Sequence, residues 1–207
     1  MRAFQALQPR TATQIPEPPI ARFLFADTRM AWLWLIVRLY VGYQWLSAGF
    51  EKLTGNSLFG EKVGSPWVFT GHDGAAMQGF VAGALKLSTG AHPAVQGWYA
   101  WFLQNIVLPT APVFSYVITF GEILVGLGLI VGCLTGIAAF FGLFMNLNFM
   151  LAGAISINPV IGTLAIFLVL AWRIGGYYGL DRYLLPLLGT PWTGTLARKA
   201  PAKPATA

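Results

Sequence analysis

Three ionisable side chains, Arg38, Glu122 and Arg173, lie inside long apolar runs. An ionised group near the centre of a bilayer costs about 2.5–3.5 kcal/mol on insertion scales, so such residues face protein, find partners and mark working sites. On the first run Arg38, Gly42, Trp45, Gly49 and Lys52 follow at spacings of four, three, four and three, which puts them on one helix face. A cation on such a face can hold an anion or a quinone carbonyl and stabilise negative charge that develops there. Glu122, on one face with Gly126, can balance that charge or move protons. At about 1.5 Å of rise per residue, Arg38 and Glu122 fall within about one helical turn in depth, which predicts an Arg38–Glu122 ion pair. The rival reading is a buried structural pair that fixes register.

Further candidates surround this pair. Lys52 sits at the edge of its span, either as a boundary charge or as the rim of a pocket. Trp45 shares its face. Asn146 falls near mid-depth, where it can supply neutral hydrogen bonds. Trp98 and Trp101 read either as an interfacial belt or as a stacking wall for an aromatic ligand. Arg173 lies nearer the surface, where a long side chain can snorkel. His72 and His92 are the only histidines, and their spacing matches no zinc pattern. No Walker, Rossmann, G-x-S-x-G or H-E-x-x-H motif is present, so no metal or nucleotide cofactor is expected.

The elements that must position these residues are helices in a membrane. The chain has 207 residues, 56% hydrophobic and 10% charged, against about 25% charged in soluble domains. Four apolar spans are predicted, at about 30–50, 113–132, 136–153 and 160–178, each close to the length that crosses a bilayer. Cys133-Leu134-Thr135-Gly136 and Ser156-Ile157-Asn158-Pro159 are the turns between the later spans. Small residues on each span let neighbouring helices approach. The expected fold is an all-α, integral membrane four-helix bundle. Between spans 1 and 2, residues 57–110 form an outer cap of short amphipathic helices. One of these is N-capped by Asp73 and carries Met77, Phe80, Val81, Ala84 and Leu85 on a shared face. Residues 1–29 read as a polar tail without the apolar core of a signal peptide, and 186–207 as a basic, disordered tail.

Arg2, Arg10, Arg22 and Arg29 precede the first span, and Arg182, Arg198, Lys199 and Lys203 follow the fourth. That bias predicts cytoplasmic N- and C-termini. Because the positive residues flank apolar spans, the net charge of +6 reads as an orientation signal, and no nucleic acid is expected as a partner. Cys133 is the only cysteine, so redox chemistry would need a bound cofactor, a diffusible carrier or a partner subunit.

These pieces resemble the DoxX family, and within it the DoxD-like branch. The first span carries an R-x-x-x-G…G-x-x-K pattern in Arg38, Gly42, Gly49 and Lys52. The second carries Gly121-Glu122…Gly126…Leu129…Gly132, like the family's G-E-x-x-x-G. The fourth closes on Gly175, Gly176 and Gly179-Leu180-Asp181, like its G-x-x-x-LD. The segment Trp98-Tyr99-Ala100-Trp101-Phe102 leading to Pro109 resembles the DoxD-like branch in particular. The resemblance covers about residues 30–185. It implies a four-span protein of the bacterial or archaeal plasma membrane, a subunit of a thiosulfate:quinone oxidoreductase-like enzyme. A quinone would be the diffusible acceptor and a second subunit the redox partner. Two other readings use the same residues: a non-enzymatic scaffold for a redox complex, and a small-anion carrier, although the internal repeats usual in carriers are not evident.

Overall fold

A computed structural model describes residues 17–189. The tail readings for 1–16 and 190–207 lie outside the described residues. Among the described residues eight α-helices follow in order: α1 Pro19–Ala26, α2 Ala31–Thr54, α3 Ala75–Lys86, α4 Gly97–Phe102, α5 Ala111–Val131, α6 Thr135–Leu151, α7 Asn158–Leu170 and α8 Asp181–Leu187. A 3₁₀ turn at Thr28–Met30 precedes α2, and a π turn at Leu103–Val107 continues α4. No strand occurs among the described residues, only an isolated bridge between Asn56 and Lys62.

α2 packs along α5 over most of its length, and the fit depends on missing side chains. A Cβ on Gly126 would lie 2.5 Å from the backbone nitrogen of Leu46, and one on Gly49 2.8 Å from that of Ile123. Backbone cannot yield as a side-chain tip can, so these positions bring the two helix axes close. α7 packs on α6 and α2, and α6 on α5. Trp34, Trp45, Val125, Leu129, Ala139 and Leu168 fill the space between them.

The cap has a core of its own. Met77, Val81 and Ala84 of α3 pack with Val95, Tyr99, Leu103 and Val107, and the cluster rests on Ala111 and Ala152. The shared face on α3 is as the periodicity predicts. Its N-terminus is not: Gly74 occupies the cap position without a side-chain bond. Asp73 instead accepts from the Thr70 N–H at 2.9 Å and from the Tyr116 hydroxyl at 2.6 Å. It therefore ties the cap to α5. The Tyr116 hydrogen bond holds the Asp73 carboxyl below the usual carboxylate range.

Two expected boundaries differ. Part of the segment read as a tail is structured: α1 lies against α2, where the Trp34 indole N–H donates to the Leu24 carbonyl at 2.7 Å and Phe25 stacks on Trp34. The fourth apolar run is helical only to Leu170, and 171–180 form successive turns. Those turns fold back so that the N–H groups of Leu180 and Asp181 reach the carbonyls of Val131 and Gly132. Arg173 therefore sits outside α7, 3.5 Å from Glu17 and over the Trp172 ring.

Among the described residues only α5, with 21 residues and mean hydropathy 2.0, is by itself long and apolar enough to cross a bilayer. α6 and α7 are apolar but shorter, at 17 and 13 residues. Polarity is nonetheless inverted relative to a soluble protein. Arg38, Glu122, Asn146 and Asp181 are buried, whereas Val117, Leu124, Phe141, Phe144 and Ile166 face outward. Large contiguous apolar surfaces of this kind mark contact with lipid or protein.

Candidate functional site

The ion pair inside the helices joins Glu122 to Lys52. The Lys52 ammonium donates to both oxygens of the Glu122 carboxylate, at 2.9 and 2.8 Å. The expected Arg38–Glu122 pair does not form, because the glycine contacts set the register of α2 against α5. Gly49 meets Glu122 and Ile123, and Gly42 meets Gly126, Leu129 and Ile130. Lys52, three residues past Gly49, is thereby brought level with Glu122. Arg38 lies about 21 Å from Lys52 along the helix, at 1.5 Å per residue.

Lys52 and Glu122 line a cavity of about 320 Å³ with Gln44, Trp45, Trp67, Phe80, Phe149, Asn158 and Ile161. Pockets of about 300–1,000 Å³ with few polar groups among apolar walls are the usual form of a small-molecule site. The Glu122 side chain is 1% exposed and that of Lys52 17%, so the ammonium is the part of the pair that meets the cavity. It lies 5.2 Å from the Trp67 ring centroid and 5.8 Å from that of Phe149, within range of cation–π attraction. The loop after α2 delivers Trp67. Gly55 ends the helix with φ 77°, its carbonyl accepts from Val63 and Gly64, and the Trp67 N–H donates back to the Lys52 carbonyl at 2.7 Å. Trp45 stacks on Phe149 at 6.3 Å, and its buried indole N–H has no partner.

Asn146 is buried and donates to the Asn158 side chain at 3.0 Å, which in turn donates to the Ala154 carbonyl. It supports the cavity through Asn158 instead of lining it. Trp98 and Trp101 are 63% and 61% exposed on the outer side of the cap and do not line this cavity. Their neighbours Tyr99 and Phe102 face inward, toward a second, apolar cavity. His72 lies in the exposed turn before α3.

Arg38 belongs to a separate cluster. Its guanidinium donates to the carbonyls of Leu129 at 2.7 Å, Ile130 at 3.1 Å and Tyr178 at 3.3 Å. It thus serves the C-terminal end of α5, where free carbonyls attract a cation. Asp181 does the converse for α6, accepting from the Leu134 and Thr135 N–H groups at 2.5 and 2.8 Å. The two charges attract across the α5–α6 turn, and Gly132, at φ 71°, lies against Arg38 and Gly179. The G-x-x-x-LD pattern is in this respect a lock on that turn.

Sequence reasoning missed the Lys52–Glu122 pairing, the Trp67 and Phe149 walls and the role of Asp181. Gly49 before Lys52 and Gly126 after Glu122 carried the signal for the first, since small residues mark where two helices meet. Trp67 reaches the site through a loop and leaves no periodic trace. Among the described residues, no group of three or more His, Cys, Asp or Glu side chains is placed to hold a metal.

No curated protein and no solved structure matches the chain. The DoxX family profile matches residues 33–155, a stretch that contains all but the first two residues of α2, the cap, α5, α6 and every charged residue of the cavity. That is more than half of the 207 residues, and the protein belongs to the DoxX family of membrane proteins.

Proposed function

We propose that this protein is a four-span membrane subunit of a quinone-linked oxidoreductase acting on a sulfur compound such as thiosulfate, and that the Lys52–Glu122 cavity takes the quinone head group. The observation that carries the reading is the buried Lys52–Glu122 pair, whose ammonium lines an aromatic-walled cavity. Lys52 Nζ hydrogen-bonds a carbonyl oxygen and stabilises negative charge there. Glu122 keeps the ammonium charged and oriented, and exchanges a proton with it. Trp45 contributes its ring to the cavity wall, while its indole nitrogen packs against Gly142. Electrons come from a second subunit that oxidises the sulfur compound. Thiosulfate as reductant rests on the likeness of Trp98–Phe102 to the DoxD-like branch. Arg38 is left to the α5–α6 turn, where its three carbonyl partners occupy it.

The test is thiosulfate-dependent quinone reduction by the purified protein, with and without its co-purifying partners. Turnover by the complex that falls at least about 10²-fold in Glu122→Gln, with the fold retained, supports the reading. Equal turnover in wild type and Glu122→Gln contradicts it. A second reading, a non-enzymatic scaffold, is favoured by the mutual satisfaction of Lys52 and Glu122. It requires a stable partner complex with neither bound quinone nor turnover. Anion uptake into proteoliposomes without redox change would instead indicate a carrier.

A further inference from the structure

The Lys52 cavity has an apolar neighbour. A cavity of about 330 Å³ lies between the cap and α5–α6, lined by Met77, Tyr99, Leu103, Val107, Phe114 and Ile118 among others. It offers no free polar group of note: the Tyr99 hydroxyl donates to the carbonyl and the side-chain oxygen of Asn148. Its wall includes the π turn, in which the Leu108 N–H reaches the Leu103 carbonyl five residues back. Leu103 and Val107, at the two ends of that turn, are both buried facing the cavity. Such π turns concentrate at functional sites.

The apolar cavity has a neighbouring space on each side. Toward α2 it shares Phe80 and Phe149 with the Lys52 cavity. These two rings meet edge to face at 6.1 Å and 84°, so side chains and not backbone divide the two spaces. Toward the outside it shares Val117, Phe144 and Met145 with a groove of about 800 Å³ between α5 and α6. That groove lies on the outward apolar face, where Leu124 and Phe141 are exposed.

We infer that this series of spaces is a lateral path for the tail of an amphiphile: a prenyl chain runs from a head group beside Lys52, past Phe80 and Phe149, through the apolar cavity, and out between α5 and α6 into lipid. The inference rests on the proposal that the Lys52 cavity takes a quinone head. A largely apolar chamber set between a charged pocket and a lipid-facing groove matches a ligand with one polar end and a long apolar one. Passage at the first junction requires Phe80 and Phe149 to rotate aside, and the outer junction is bounded by Val117, Phe144 and Met145.

The experiment compares binding of a single-prenyl ubiquinone and a long-chain ubiquinone to the full chain in phosphatidylcholine nanodiscs, with affinity expressed per mole fraction in the bilayer. Val117→Trp on α5 and Met145→Trp on α6 narrow the outer junction without touching Lys52 or Glu122. Long-chain affinity is expected to fall roughly tenfold or more in both variants, while single-prenyl affinity is unchanged and reports an intact fold. Equal behaviour of the two quinones in wild type and variants overturns the path and leaves the head-group proposal standing. Binding of neither quinone to wild type overturns both. A long-chain quinone carrying a diazirine at the tail end gives a readout on wild type alone. Adducts at Val117, Phe144 or Met145 are expected, and adducts only on other faces overturn the path.

Discussion

Lys52 meets both oxygens of the buried Glu122 carboxyl, and removing either partner strands the other. Lys52→Met is expected to cost about 3–5 kcal/mol, the range for breaking a buried pair, read from denaturation in detergent. Lys52→Met combined with Glu122→Gln removes both charges together and recovers most of that loss, but quinone binding does not return. Asp181 makes the contrasting case. Asp181→Ala strips the Leu134 and Thr135 N–H groups of their acceptor and is expected to cost about 1.5–3 kcal/mol, as for hydrogen bonds to a charged group. Asp181→Asn costs less, and quinone affinity of the folded protein stays at the wild-type value in both. At this scale the sequence shows which residues are out of place, because a charge in an apolar run stands out. It does not show which charge pairs with which. Arg38 and Lys52 share one face at heptad-like spacing, and only the depth of α2 against α5 decides between them.

That depth is a property of the helix pair. Gly126 brings Leu46 backbone within contact distance, so Gly126→Ala must push α2 and α5 apart next to the ion pair. The expected cost is about 1–3 kcal/mol, as for overpacking, together with weaker quinone binding, measured on the same preparation. The cap is held differently, by the Tyr116 hydroxyl on Asp73. Because the Asp73 carboxyl is held below its ordinary range, its contribution to cap docking is complete above that range and is lost as pH falls through the lowered value. Limited proteolysis of the 86–97 segment should accelerate under that acid condition, and Tyr116→Phe should remove the pH dependence. Helices α2, α5 and α6 lie within a few residues of the first three predicted apolar stretches, since long apolar stretches bounded by glycine and proline leave clear ends. The fourth was read too long. Residues 171–180 are apolar enough to continue a helix, but Gly175, Gly176 and Gly179 let the chain turn back onto Gly132, a tertiary contact without a local signature.

For the whole molecule, the burial of charge beneath an apolar exterior implies a lipid environment, in keeping with the family. The basic residues flanking the spans predict that the α5–α6 turn faces the cytoplasm. Cys133, the single cysteine, lies in that turn and is partly accessible. A membrane-impermeant maleimide is expected to label it in inside-out vesicles and not in intact cells, and the opposite pattern would reverse the topology. With that orientation the Lys52 cavity lies toward the outer leaflet beneath the cap, and the Arg38–Asp181 turn toward the inner one. The proposed quinone cavity and the Arg38–Asp181 turn then lie at opposite ends of the molecule. The central claim is that the outer cavity is where a quinone head sits. Photolabelling with an azidoquinone in native membranes, mapped by mass spectrometry, tests it most directly. Adducts on Trp45, Trp67 or Phe149, lost in the Lys52→Met, Glu122→Gln double variant, are the predicted result. Adducts around Arg38 and Tyr178, or none within the chain, would contradict it.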